Sequence, residues 1–125
     1  MAMQLRSLDA SFFDSDPELV ARNLIGTILV RRLNGSILVR RIVETEAYLP
    51  IGEAAAHGTG GLRRGNRALF WGPGTIYVHS MHRQNCLDLV TQNSETPGSV
   101  LTRALEPIAG YDIMRMLRGS GAPVL

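Results

Sequence analysis

The first regular pattern in the chain is an apolar stripe with helical spacing near the N-terminus. Val20 and Leu24 are one turn apart, which places both side chains on one face of a helix. Asp16 is a residue type that caps the start of helices, and Gly26 is a type that ends them. The pattern therefore predicts a helix over residues 16–23 that turns Val20 and Leu24 toward the core.

A different period follows, in two runs rich in β-branched residues at 27–33 and 36–43. They flank Asn34-Gly35, a dipeptide that supplies the left-handed backbone of a two-residue turn, so the pattern predicts an antiparallel hairpin. If the second strand continues to Tyr48, its alternate side chains share a face. One face would then carry the even-numbered residues Leu38, Arg40, Ile42, Glu44, Glu46 and Tyr48.

The remaining chain predicts further strands near residues 74–81, 86–91 and 99–104, and a last helix over 111–118. In that helix the inner face is expected to carry Ile113, Met116 and Leu117. A glycine-rich segment from Leu49 to about Arg67 is too long for a simple connection, and such loops often carry function. These elements predict an α+β fold, with one domain over residues 1–125 and a largely antiparallel, curved sheet flanked by helices.

Composition narrows the class of protein. The 125 residues contain a single cysteine, Cys86, which excludes an internal disulfide and favours a reducing compartment. One cysteine and three histidines are too few for an ordinary closed zinc site, so no metal is expected. No apolar run approaches the roughly 18 residues of a membrane span, so we expect a soluble, cytoplasmic protein. Cys86 is expected to be buried, and Trp71 to anchor the core or a loop.

The distribution of charge is uneven. All thirteen basic residues are arginines, and no acidic residue lies between Glu53 and Asp88. This interval contains all three histidines and the arginines Arg63, Arg64, Arg67 and Arg83. It could be the electrostatic footprint of a polyanion, and the alternative is an ordinary solvated basic loop.

Two acidic residues stand out as candidates for chemistry. Glu44 and Glu46 are two positions apart on the predicted strand, so two buried, ionised carboxylates there would repel one another. One of them is therefore a candidate general base, with Tyr48 and His57 as flat surfaces that could hold an aromatic ligand. The structural alternative is cross-strand ion pairing of both acids with Arg32, Arg40 or Arg41.

Several blocks, taken in order, resemble a known family. They are Arg-Ile-Val-Glu-Thr-Glu-Ala-Tyr at 41–48, Glu-Ala-Ala-Ala-His at 53–57, Gly-Asn-Arg-Ala-Leu-Phe at 65–70, Gly-Pro-Gly-Thr-Ile-Tyr-Val at 72–78 and Leu-Thr-Arg-Ala-Leu-Glu-Pro at 101–107. The series is similar to the alkyladenine, or 3-methyladenine, DNA glycosylases. That resemblance implies a base-excision repair hydrolase that flips an alkylated or deaminated purine out of double-stranded DNA and hydrolyses its bond to the sugar.

The resemblance also implies roles for single residues. Glu46 matches the general base that activates water, and Arg103 matches an arginine that helps to hold that water. Tyr48 and His57 match residues that contact the flipped base, and Arg67 falls in a block near the DNA backbone. No cofactor is expected, and the lack of lysine predicts hydrolysis without strand cleavage.

The match departs from the family in the block around residues 77–88. His79 stands where the family has a stacking tyrosine, His82 where a residue wedges into the duplex, and Asp88 at a base-discriminating asparagine. Arg63, Arg64, Arg67, His82 and Arg83 are the expected DNA contacts. His79 and His82 are not expected to bind metal together, because positions i and i+3 of a strand face opposite sides. The chain is also expected to be short at its C-terminus relative to the family.

Three functions therefore remain open from the sequence. The first is a DNA glycosylase, found with the nucleoid, that acts on double-stranded DNA carrying damaged purines. The second is a non-catalytic DNA-binding remnant of the same family, and the third is a protein interaction module. The sequence leaves the oligomeric state and the excised lesions undetermined.

Overall fold

The computed structural model describes residues 6–49, 68–81, 84–92 and 97–119. In chain order the elements are α1 (Ala10–Phe13), α2 (Pro17–Leu24), β1 (Ile28–Leu33), β2 (Ser36–Tyr48), β3 (Ile76–Met81), β4 (Gln84–Thr91), β5 (Gly98–Ala109) and α3 (Tyr111–Arg118). The strands form one antiparallel sheet in the order β1-β2-β5-β4-β3. The predicted α+β class with a largely antiparallel sheet is therefore confirmed.

The hairpin between β1 and β2 follows the sequence prediction closely. Asn34 and Gly35 have φ values of 48° and 81°, the left-handed conformation of a two-residue turn. The register then pairs Leu33 with Ser36 and continues to Ile28 opposite Arg41. The second strand does extend to Tyr48, as the alternation predicted.

Helix α2 packs on one face of the sheet, which we call the α2 face. Val20 and Leu24 are each 1% exposed, so the prediction that both face the core is confirmed. They pack with other buried residues of α1, α2, β2, β4 and β5, namely Phe13, Ala21, Ile42, Leu89 and Val100. Burial of side chains of this size contributes about 1.5–3 kcal/mol each. Asp16 is the N-cap residue of α2, but its side chain makes no capping hydrogen bond.

The sheet curls so that its two edges approach each other. Val30 of β1 and Ile76 of β3 both line a largely apolar groove of about 530 Å³, although these strands are at opposite edges. Phe13 of α1, a short helix that the sequence pattern did not predict, lines the same groove. The groove therefore lies on the α2 face.

Paired irregularities between β2 and β5 change which residues face α2. Ile42 pairs with Leu105, Glu44 with Ala104 and Thr45 with Thr102, so each strand contributes an extra residue within a short stretch. The α2 face consequently receives Ile42 before the irregularity and Ala47 after it. The predicted single face of even-numbered residues is therefore wrong: Leu38 and Ile42 belong to the core, whereas Glu46 lies on the other face.

The opposite face, which we call the Glu46 face, has a small core of its own. A short helical turn at residues 68–70 covers it, and Leu69 packs there against Tyr77 and Val90. All three side chains are buried. The sheet is thus covered on the Glu46 face as well, near β3 and β4.

Helix α3 is present over the predicted range, and Gly119 ends it, but its inner face differs. Met114 is its buried residue, while Met116 and Leu117 are 72% and 53% exposed. The N-cap residue of this helix is Gly110, whose φ of 81° sets the direction in which the chain leaves β5. A Cβ at this position would lie 2.6 Å from Leu38 Cδ2 and 2.8 Å from the Ile37 carbonyl oxygen. The close approach of Gly110 to β2 fixes which face of α3 meets the sheet.

Other local predictions need correction. Trp71 is 67% exposed, so it does not anchor the core. Cys86 is half-buried instead of fully buried. Strand β5 continues past the predicted end to Ala109 because it pairs with β2 from Val39 to Tyr48. Among the described residues, no helix has the length and apolar character of a membrane span.

Candidate active site

Glu46 is held by two side chains on the Glu46 face. The Tyr48 hydroxyl donates a hydrogen bond to Glu46 Oε1 at 2.8 Å, and Arg103 Nη1 donates to Glu46 Oε2 at 3.3 Å. Arg103 Nε also lies 3.9 Å from Glu44 Oε2. The alternative in which these acids pair with Arg32, Arg40 or Arg41 is therefore wrong, since Arg41 instead pairs with Glu106 of β5 at 3.1 Å.

The backbone irregularity explains why these groups meet. Arg103 is the residue of β5 between the paired residues Ala104 and Thr102, next to the Glu44 and Thr45 positions of β2. Thr45 Oγ1 donates to the Ala21 carbonyl oxygen of α2 and so fixes this part of β2 on the helix. Because side chains alternate along a strand, Glu46 is then directed to the opposite face.

The Glu46 carboxylate keeps access to solvent while being oriented. Its side chain is 43% exposed, and that of Arg103 is 61% exposed. Burial raises the pKa of Tyr48 to about 12, and its hydrogen bond to Glu46 and the charges of Glu46 and Asp88 act in the same direction. Tyr48 therefore remains protonated at neutral pH and serves as a donor to Glu46.

A second polar group lies nearby in β3, β4 and β5. Asp88 is 3% exposed, and its Oδ2 accepts a hydrogen bond from Ser99 Oγ at 3.0 Å. Its Oδ1 lies 3.0 Å from His79 Nε2, and both side chains of this pair are almost fully buried. Both oxygens of Asp88 are thus engaged by neighbouring side chains.

The His79 ring stacks on a neighbouring tyrosine. The ring centroids of Tyr77 and His79 are 4.8 Å apart, with an angle of 19° between the planes. Tyr77 is 6% exposed, and burial, followed by the charge of Asp88, raises its pKa above the ordinary value. Stacking and the contact with Asp88 together leave the imidazole little freedom to change orientation.

Strand register places the two groups on the same face of the sheet. Glu46 pairs with Leu101, Leu101 with Asp88, and Asp88 with Tyr77, so these four residues form one row across β2, β5, β4 and β3. Two strand spacings give a separation of about 10 Å between the backbones of β2 and β4. Glu46 therefore lies on one side of Leu101, and the stacked rings of Tyr77 and His79 lie on the other side, on the same face of the sheet.

The sequence predictions for this face have mixed outcomes. The structure brings together the predicted residues Glu46, Tyr48 and Arg103, and separately His79 and Asp88. Other predicted site residues lie outside the described part of the chain: His57, Arg63, Arg64, Arg67, His82 and Arg83. Within the described part, no group of three or more histidine, cysteine or acidic side chains is arranged to hold a metal ion.

Sequence reasoning overlooked two residues of this face. Tyr77 lies two positions before His79 on a strand, a spacing that could have indicated stacking on a common face. Ser99 gave no such signal, because its contact with Asp88 depends on the register of β4 with β5.

Comparison with known proteins gives matches over most of the chain. The family model described as Methylpurine-DNA glycosylase matches residues 11–123. A Rhodopirellula baltica protein named "Putative 3-methyladenine DNA glycosylase" is 43% identical over 114 residues, which cover 91% of this chain and 49% of that protein. Proteins with the same name from Methanocella arvoryzae and Koribacter versatilis are 44% identical over 112 residues, covering 89% of this chain and 56% and 54% of theirs. The chain spans about half the length of the curated relatives it matches.

Proposed function

The chain belongs to the methylpurine-DNA glycosylase family, and from this premise we propose that it excises damaged purines from double-stranded DNA. The substrates would be alkylated or deaminated purines such as 3-methyladenine, 7-methylguanine, hypoxanthine and ethenoadenine. The observation that carries the proposal is the Glu46 carboxylate, oriented by Tyr48 and Arg103 and still open to solvent.

Glu46 is assigned the role of general base. Cleavage of the bond between base and sugar builds positive charge on the sugar, which an adjacent carboxylate stabilises while it accepts a proton from the attacking water. The Arg103 guanidinium favours the ionised carboxylate and carries further N–H donors for a water. Tyr48 fixes the second carboxylate oxygen, so the direction of attack is set before the substrate binds.

The aromatic rings on this face provide selectivity for the base. Purines alkylated at N3 or N7, such as 3-methyladenine and 7-methylguanine, carry a positive charge in DNA, so they leave readily and are attracted to electron-rich rings such as that of Tyr48. His79 would contact the base from β3, supported from behind by Tyr77 and Asp88. His57, outside the described residues, is assigned to the same base pocket.

Asp88 is assigned to positioning His79 instead of reading the base. An ionised carboxylate cannot donate a hydrogen bond to a purine, and both Asp88 oxygens already have partners in Ser99 and His79. The role of a discriminating amide at this position does not therefore transfer to Asp88.

The chain has no lysine to attack the sugar, so the proposed reaction ends at an abasic site without strand cleavage. DNA contacts are assigned to arginines in the stretch without acidic residues and to one histidine: Arg63, Arg64, Arg67, Arg83 and His82. The duplex phosphates are the groups that these side chains would bind.

The second candidate function is a non-catalytic DNA-binding remnant of the same family. It is favoured by Asp88, whose two oxygens are engaged by Ser99 and His79 and which cannot replace a base-discriminating amide. Base release from duplexes that each carry one lesion separates the two functions. The glycosylase proposal predicts free base and an alkali-labile site in an uncut strand, whereas salt-dependent DNA binding without base release would overturn it in favour of the remnant.

A further inference from the structure

A cleft of about 170 Å³ lies between α3 and the α2 face of the sheet, away from Glu46. Three arginines from different elements line it: Arg31 of β1, Arg40 of β2 and Arg118 of α3. Its other lining residues are the apolar Leu38, Leu105, Pro107, Met114 and Leu117, and no acidic residue lines it among the described residues.

The charge of Arg40 is poorly compensated in this cleft. Its Nε is buried, and no hydrogen-bond acceptor is within reach of it in the described part of the chain. Burial and the neighbouring Arg31 both lower the pKa of Arg40 from its ordinary value. The acidic residue next to the cleft on β5, Glu106, is already paired with Arg41 at 3.1 Å. A half-buried cation whose buried N–H donor has no acceptor is stabilised by an anion, so this arrangement favours anion binding in the cleft.

We propose that the cleft formed by Arg31, Arg40 and Arg118 binds a phosphate-type oxyanion. Planar guanidinium groups match the oxygens of phosphate through paired N–H donors. The volume corresponds to about six waters at roughly 30 Å³ each, enough for a tetrahedral oxyanion. The anion is either free phosphate or a phosphate group of a nucleic acid. This site is independent of the proposed glycosylase reaction, because it involves the opposite face of the sheet.

The test is calorimetric titration of the full chain with inorganic phosphate at constant ionic strength, with chloride as the reference salt. Arg40→Gln removes the half-buried cation, and Arg31→Gln removes an exposed one with little risk to the fold. Arg32→Gln is the matched control. Arg32 is the exposed residue next to Arg31 on β1, and it lies opposite the exposed Ile37 of β2, on the side of the hairpin that faces away from the cleft.

We expect saturable phosphate binding that weakens about tenfold or more in Arg40→Gln and Arg31→Gln, because each loses charge-assisted hydrogen bonds. The Arg32→Gln variant should bind like the parent. An undamaged duplex that displaces phosphate identifies a nucleic-acid phosphate as the ligand, and failure to displace it identifies the free anion. Absence of saturable binding in the parent, or an equal loss in Arg32→Gln, would overturn the proposal.

Discussion

The buried Asp88 provides the most specific prediction for the second polar group. Replacing it with alanine leaves Ser99 Oγ and His79 Nε2 without the carboxylate that each contacts at 3.0 Å. Each buried polar group left unsatisfied costs about 1–3 kcal/mol. Part of this cost is offset because the variant no longer buries a carboxylate. We therefore expect Asp88→Ala to lower the free energy of unfolding by about 2–4 kcal/mol.

Urea unfolding followed by circular dichroism measures this loss. With a slope of about 1.5 kcal/mol per molar urea, a loss of 3 kcal/mol lowers the unfolding midpoint by about 2 M. Ser99→Ala should cost about 1 kcal/mol alone, and less when Asp88 is already alanine, because the two residues share one hydrogen bond.

The matched control is Asp112→Ala, which removes an exposed acidic residue from α3 and should change stability by less than about 0.5 kcal/mol. An Asp88→Ala variant as stable as Asp112→Ala, or strict additivity of the Asp88 and Ser99 substitutions, would refute the assignment of Asp88 as the centre of this network.

The remaining predictions concern Tyr48, Gly110 and Arg103. Folding raises the pKa of Tyr48 from 10.0 to about 12. The protonated Tyr48 therefore contributes fully to the free energy of unfolding below pH 10, and this contribution is lost as the pH rises toward 12. Tyr48→Phe should make the free energy of unfolding fall less over this pH range. Gly110→Ala should cost about 2 kcal/mol or more in urea unfolding, since φ is +81° and the added Cβ meets Leu38; unchanged stability would contradict this packing. Arg103→Gln should slow single-turnover base release about 10- to 100-fold, whereas the exposed control Arg115→Gln stays within about twofold of the parent; equal rates would refute the role of Arg103.

Local sequence signals were sufficient for much of the fold. Asn34-Gly35 determines its turn through backbone preference alone, and the observed left-handed φ values follow from it. The spacing of Val20 and Leu24 likewise identified the buried face of α2. Both features depend on residues close together in the chain, which is why single-sequence reasoning recovers them.

The arrangement of the site could be predicted only in part. Glu46 and Tyr48 are two residues apart on one strand, so their proximity follows from alternation. Alternation does not predict that Glu46 and Ile42 lie on opposite faces of the sheet. That arrangement depends on the irregular pairing between β2 and β5, for which the sequence pattern gives no signal. The prediction of the buried face of α3 was wrong for a similar reason. The close approach of Gly110 to Leu38, which is distant in sequence, determines which face of the helix meets the sheet.

The central proposal is that the Glu46 carboxylate activates water for base release, and its substitution tests this most directly. Glu46→Gln keeps the shape of the side chain but removes the base, so we expect single-turnover release from a duplex containing a damaged purine to fall about 10²- to 10⁴-fold. DNA affinity should be nearly unchanged. Glu106→Gln, an exposed acid paired with Arg41, is the matched control and should act like the parent. A Glu46→Gln variant that releases base as fast as Glu106→Gln would contradict the account.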